Sequence, residues 1–345
     1  MVDAKRRPTM HDVARESGVS QATVSLVLNG VAGVRVSELT RARIIKVAGK
    51  LNYRRSSRVR AEAGTPSSIG FVIDELSASP FAVPLMEGAR EAAWDHGCIV
   101  DVISTRSHGP IEEAAIRNLM QRPIAGIIYA TLFTREITPP LLSADVPIVL
   151  LNCYDAQRRL SSIVPDDRKA AYDLTKSMIN AGHRRIGHLA GELFLDAGRD
   201  RAAGYRDALD EAGIAFDAAL LLNLGSAIFS AYDGACELLD LEHAPTAIFC
   251  FNDRMALAVY EAARDRGLHV PHDIAIAGFD NDPLVIALMP SLATAVLPHE
   301  AMGRWAVQQI FHLRHAKKAV LPSQERLECQ LVGRKSISRP RTIRL

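Results

Sequence analysis

No stretch of this 345-residue sequence approaches the roughly 18 consecutive apolar residues that a bilayer-spanning helix needs. The charged start, Met1 to Pro8, is not followed by an apolar signal segment, so a cytoplasmic location is expected and no membrane partner is. Cysteine is scarce: Cys98, Cys153, Cys236, Cys250 and Cys329 are odd in number, scattered, and never spaced as metal-ligand or redox pairs. They read as reduced, mostly buried small hydrophobes, so neither a disulfide framework nor a metal site is expected. Catalytic signatures are missing too. There is no Gly-x-x-x-x-Gly-Lys phosphate loop, no Gly-x-Ser-x-Gly elbow and no Cys-x-x-Cys pair, and His299-Glu300 lacks the second histidine of a zinc motif. The chain therefore reads as a non-enzyme without a cofactor.

The net charge of +2 conceals an asymmetry. Residues 1–65 hold thirteen Lys and Arg against five acids, a charge of +8, which leaves −6 for the rest. A basic head on a mildly acidic body suits a polyanion held by the head alone.

Within the head, Thr9 and Asp12 have capping-box spacing and open a helix running through Ser17, with Val13 and Ala14 facing inward. Gly18 breaks it. Ser20 then caps a second helix, Gln21 to Leu28, whose Val24, Val27 and Leu28 share one face. A third helix begins at a Ser37 cap and runs to about Leu51, with Leu39, Ile44, Val47, Ala48 and Leu51 inside and Arg41, Arg43, Lys46 and Lys50 outside. Two short helices joined at a glycine turn make a helix-turn-helix. Its second helix exposes Gln21, Ala22, Thr23 and Ser25, short polar or methyl-bearing groups suited to base edges in the major groove. A three-helix cap with a solvated basic face is the plainer alternative.

The segments Thr9 to Ser20, Ala22 to Ser25, Val27 to Asn29, Val36 to Arg41 and Leu51 to Tyr53 resemble the head of the lactose-repressor (LacI) family. The resemblance implies a homodimer on double-stranded operator DNA, a hinge helix in the minor groove, and DNA contacts from Thr9, Ser20, Gln21, Ala22, Thr23, Ser25, Asn29, Tyr53, Arg54, Arg58 and Arg60. Two residues depart from the family pattern. Leu26 stands where the family often has a guanine-reading Arg, and Glu62 stands where a Leu usually wedges between base pairs. Either the hinge docks through Arg58 and Arg60 or the operator is kinked less, unless Glu62 is simply a solvated helix end.

Beyond Pro66, apolar runs of strand length alternate with amphipathic helical stretches, as in a parallel sheet with crossover helices. The strands are read at Ser68–Ile73, Cys98–Ile103, Gly126–Tyr129, Ile148–Leu151, Ile186–Ala190, Ala247–Phe251 and Ile274–Gly278, and helices stop at Gly97, Gly182, Gly213 and Gly267. Asp74-Glu75, Asn152, Asn252-Asp253 and Asp280-Asn281 follow strands, so one sheet edge collects polar groups where α/β sheets hold ligands.

The segments Ala181 to Gly191, Arg201 to Arg206, Phe251 to Ala256, Val270 to Ile274 and Gly278 to Asp280 again resemble the LacI family. Its core looks like periplasmic sugar-binding proteins: two doubly wound parallel-sheet lobes joined by three crossing strands. The resemblance implies an effector, a sugar or sugar phosphate, held by Arg201, Asn252 and Asp280 from one lobe and Phe81, Asn152 and Asp166 from the other, with Phe81 or Tyr154 offering a ring face. The expected organisation is an all-α helix-turn-helix head at 1–54, a hinge and linker at 55–66, and a core at 67–338. Within the core the first lobe covers about 67–166 plus 298–325 and the second about 167–297 plus 326–338, ahead of a tail at 339–345 with no heptad run. Together these readings describe a ligand-controlled transcriptional repressor, possible alternatives being a solute receptor that never meets DNA and a DNA-binding protein with a ligand-free body.

Overall fold

The computed structural model describes residues 10–20, 23–24, 27, 36–51, 68–76, 81–138, 146–225, 228–316 and 320–340. The residues read as DNA contacts, apart from Ser20 and Thr23, lie outside them, as do Leu26, Glu62 and the whole hinge. The chain divides into two compact units, residues 1–60 and 61–345.

In the head, α1 (Met10–Ser17) and α2 (Glu38–Lys50) close on a small core of Val13, Ala14, Val24, Val27, Ile44 and Ala48. Ser20 Oγ accepts from the Thr23 amide at 3.1 Å and Ser37 Oγ from the Thr40 amide at 3.2 Å, so both expected caps form. Gly18 makes the turn at φ 65°. Leu39 does not join the core: it is 85% exposed, because the first turn of α2 projects it outward while Ile44 and Ala48, further along, turn in.

The body contains two parallel sheets. The first has the order β11-β5-β4-β3-β1-β2, built from β1 (Ser68–Ile73), β2 (Ile99–Ser104), β3 (Ile124–Ile137), β4 (Ile148–Asp155), β5 (Ser161–Pro165) and β11 (Gln324–Leu327). The second has the order β7-β6-β8-β9, from β6 (Ile186–Ala190), β7 (Leu221–Asn223), β8 (Ala247–Cys250) and β9 (Ala275–Ala277). β1, β5 and β6 are buried along their whole length, as strands covered by helices on both faces must be. The helices are α3 (Ala82–Asp95), α4 (Gly109–Met120), α5 (Asp167–Ala181), α6 (Asp196–Glu211), α7 (Ile228–Leu239), α8 (Asp253–Asp265) and α9 (His299–His315). Gly97, Gly182, Gly213 and Gly267 end helical runs at φ between 63° and 107°.

Helix pairs pack through small residues. A Cβ on Gly88 of α3 would stand 1.9 Å from the Glu300 carbonyl oxygen, and one on Gly303 of α9 2.1 Å from the Leu85 carbonyl, so α3 and α9 touch backbone to backbone. Phe71 and Ile73 fill the first core; Phe249, Phe279 and Tyr205 fill the second. Each contributes about 1.5–3 kcal/mol by burial.

Three crossings join the lobes: β5 into α5, β10 (Thr294–Val296) into α9, and β11 into β12 (Gln330–Val332). β10 and β12 pair antiparallel beside the second lobe, and the Asp166 amide donates to the Leu327 carbonyl at 2.8 Å. Arg326 and Leu327 pair with Val164 and Pro165, so β11 stays with the first sheet through Leu327.

Candidate functional site

At the carboxyl ends of the strands the body holds a cleft of about 280 Å³. The first lobe and its helices supply Glu75, Phe81, Phe133, Thr134, Asn152 and His299; the second supplies Asp167, Arg201, Phe251, Asn252, Arg254 and Asp280. Of the six residues expected to hold effector, five line it.

Arg201, in the second turn of α6, dominates the electrostatics. Its Nε donates to Asp167 Oδ1 at 2.8 Å and its Nη1 to the Phe251 carbonyl at 2.5 Å, while Nη1 lies 3.5 Å from Asp280 Oδ1. The guanidinium carbon stands 3.6 Å over the Phe279 ring and 4.5 Å over that of Phe251. One buried cation thus faces two buried carboxylates, and it compensates neither fully. Burial pushes Asp167 and Asp280 above the usual carboxylate range against the pull of Arg201, Asp280 the further. Asp280 holds this place at φ 109° and is tied by its amide to the Ala295 carbonyl of β10, so it belongs to a crossing as well as to the cleft.

Asn152 acts by a different route from the one expected. β3 slips register against β4 between Ala130 and Arg135, and the bulge carries Leu132, Phe133 and Thr134 to the cleft. Asn152, at φ 60°, fastens that bulge: its Nδ2 donates to the Thr131 and Leu132 carbonyls at 3.0 Å each, and its Oδ1 accepts from Thr134 Oγ1 at 2.7 Å. Asp74 Oδ1 adds a bond from the Leu132 amide at 2.8 Å. Both amide hydrogens being spent, Asn152 shapes the wall more than it reads a ligand. Asn252 caps α8 by accepting from the Met255 amide at 2.8 Å, which commits its oxygen and leaves its Nδ2 for the cleft.

Asp166 is not in the cleft. It caps α5 by accepting from the Lys169 amide at 3.2 Å and lies in a separate polar depression with Arg168, Asp207 and Arg326; the next residue, Asp167, turns inward instead. A shift of one residue at a helix start rotates the side chain by about 100°, which sequence position alone does not settle. Tyr154 points elsewhere too, with the Arg158 guanidinium 4.8 Å over its ring. Sequence reasoning missed His299, Arg254 and Phe133. His299 directly follows the second crossing, and that position was the available signal.

On the head, Arg43, Lys46 and Lys50 of α2 are exposed, a basic face carried by a helix whose Ile44 and Ala48 are buried. Among the described residues, no helix is long and apolar enough to cross a membrane.

Comparison with known proteins agrees with both halves. Residues 9–56 match the bacterial regulatory proteins of the lacI family, and residues 66–331 match the family described as periplasmic binding proteins and sugar binding domain of LacI family. The chain is 32% identical over 328 residues to the HTH-type transcriptional regulator DegA of Bacillus subtilis (strain 168), covering 92% of this chain and 96% of that protein. Among solved structures, the transcriptional regulator CelR in complex with cellobiose is 27% identical with a TM-score of 0.67, over 96% of this chain and 100% of that one. The lac repressor dimer bound to operator and the anti-inducer ONPF is 25% identical, with the same TM-score and coverage. These relatives are regulators and not enzymes, and with a helix-turn-helix head joined to a two-lobed binding core, this chain belongs to the LacI family of bacterial transcriptional regulators.

Proposed function

We propose that this regulator works as a cytoplasmic homodimeric repressor of carbohydrate genes, and that a small neutral sugar in the cleft sets its grip on operator DNA. The observation that carries this reading is Arg201, held between Asp167 and Asp280 and flanked by aromatic rings. Carboxylates and an amide bond hydroxyls, while Phe81 and Phe133 offer apolar surface to a sugar ring. The similarity to a cellobiose-bound regulator supports the same ligand class.

The charge balance favours a neutral sugar over a sugar phosphate. Among the described residues lining the cleft the cations are Arg201, matched by two acids, and Arg254, whose Nε is bound to Asp282 at 2.9 Å, while Glu75 adds a further negative charge. A phosphate dianion would meet cations already paired with acids, beside the further carboxylate of Glu75. Dimer formation fits the exposed apolar residues of α3 and of β2, an edge strand of the first sheet: Val83, Trp94, Ile99 and Val102.

Selecting an operator from random-sequence DNA with the full chain, then measuring its affinity by fluorescence anisotropy with neutral sugars, sugar phosphates and purines, tests the proposal. A neutral sugar should alter operator affinity by about 5- to 150-fold. Response to a phosphorylated sugar or a purine alone overturns the ligand class.

A further inference from the structure

His299 opens α9 immediately after the second crossing, lines the cleft and is only 3% exposed. Its Nδ1 lies 3.1 Å from the carbonyl oxygen of Phe81, the residue that precedes α3 on the other side of the same wall. A carbonyl oxygen can only accept, so Nδ1 carries the proton. Burial holds the ring neutral, pushing its pKa down to about 4, and Arg201 opposes a second positive charge nearby. In a neutral ring protonated at Nδ1, Nε2 is a bare acceptor. That atom has no partner among the described residues and, unlike the Nε2 of His188, is not fully shielded, on a ring that lines the cleft.

We infer that His299 is a specificity-determining residue of the effector site, a fixed acceptor that takes a hydrogen bond from one ligand hydroxyl and discriminates against a ligand lacking a donor there. The inference rests on the sugar reading above and sharpens it. Asp167 and Asp280 can change protonation with their surroundings, whereas the Phe81 carbonyl locks the direction of the His299 bond. The same bond joins the first turn of α9 to the start of α3, so a ligand on Nε2 would pull on the wall that Phe81 shares.

The test begins with the unsubstituted full chain labelled with 15N-histidine. Long-range 1H–15N correlations should show His299 as the Nδ1–H tautomer, unchanged between about pH 5 and 8. An Nε2–H tautomer, or titration like a free imidazole, overturns the inference before any ligand is added. D-Ribose, D-glucose, D-galactose and cellobiose are then screened at millimolar concentration by thermal shift. Binding of one should move the His299 Nε2 resonance, and His299→Phe should weaken that sugar about tenfold or more while His299→Gln, which restores an acceptor oxygen, retains most of the affinity. Among monodeoxy analogues of the sugar, loss of one hydroxyl should cost the natural chain the same factor and cost His299→Phe nothing, a coupling that a purely structural role does not produce. Binding that survives in His299→Phe with no such coupling overturns the inference while leaving the sugar reading in place. Stabilisation by none of the four sugars overturns the sugar reading and this inference with it.

Discussion

Arg201 Nη1 stands 3.5 Å from Asp280 Oδ1, with only 5% and 6% of the two side chains exposed. Replacing Arg201 by Met keeps much of the volume but leaves Asp167 and Asp280 as neighbouring buried acids. The expected loss in urea unfolding at neutral pH is about 3–5 kcal/mol, the cost of breaking a buried ion pair from one side. A loss below about 1 kcal/mol would mean that the cation does not hold the site together.

Acid should expose a second buried group. His188 is fully buried, its ring stacked on Phe249 at 4.5 Å and its Nδ1 bonded to the Phe249 carbonyl at 2.9 Å, and burial pushes its pKa from 6.5 down to about 4. The unfolded chain therefore takes up a proton before the native one does, so the stability His188 contributes is present above pH 6.5 and is lost as pH falls toward about 4. His188→Phe keeps the stacking and removes the titration. Its melting temperature relative to the natural chain should rise as pH is lowered across that window. A difference that stays constant with pH contradicts the assignment.

The contact between α3 and α9 leaves no room at Gly88. Gly88→Ala puts a methyl 1.9 Å from the Glu300 carbonyl oxygen, a backbone atom with no rotamer to move, and should cost about 3 kcal/mol or more. Gly333→Ala, just after β12 with open space where the methyl would stand, should be neutral or gain up to about 1 kcal/mol. Equal effects in chemical denaturation would contradict the packing described.

Much of this was legible in the sequence where one residue type answers one physical demand. β1 and β6 are short, mostly apolar runs and fall where the sequence places them, and four glycines mark helix ends because those angles strain an L-residue. β5, β7, β10, β11 and β12 were missed: they are three to five residues long, and pairing across the chain defines them more than any local pattern. The apolar pattern marks only Gly126–Tyr129 of β3, which runs from Ile124 to Ile137, because its bulge interrupts the apolar run. Within the cleft, Arg201 and Asp280 were legible as charges at strand and helix ends. The fastening role of Asn152, the outward turn of Asp166 and the arrival of His299 were not, since each depends on which backbone groups the fold brings within bonding distance.

Asn152 makes a separable prediction. Its φ of 60° favours glycine, while its side chain holds the β3 bulge. Asn152→Gly should lose only the side-chain bonds, and Asn152→Ala should add about 1 kcal/mol of backbone strain to that loss. In both variants hydrogen exchange should quicken at Leu132, whose amide the bulge presents to Asp74. An alanine variant as stable as the glycine variant contradicts the strain argument.

The central claim is that the cleft around Arg201 and Asp280 governs the grip of the head on DNA. The most direct measurement is the operator affinity of the full-length chain and of Asp280→Ala, each with and without the effector sugar. Wild-type affinity should shift by about 5- to 150-fold with sugar, while Asp280→Ala should bind operator with one affinity under both conditions. A variant that responds to the sugar as the natural chain does would remove Asp280 from the controlling site and contradict the account.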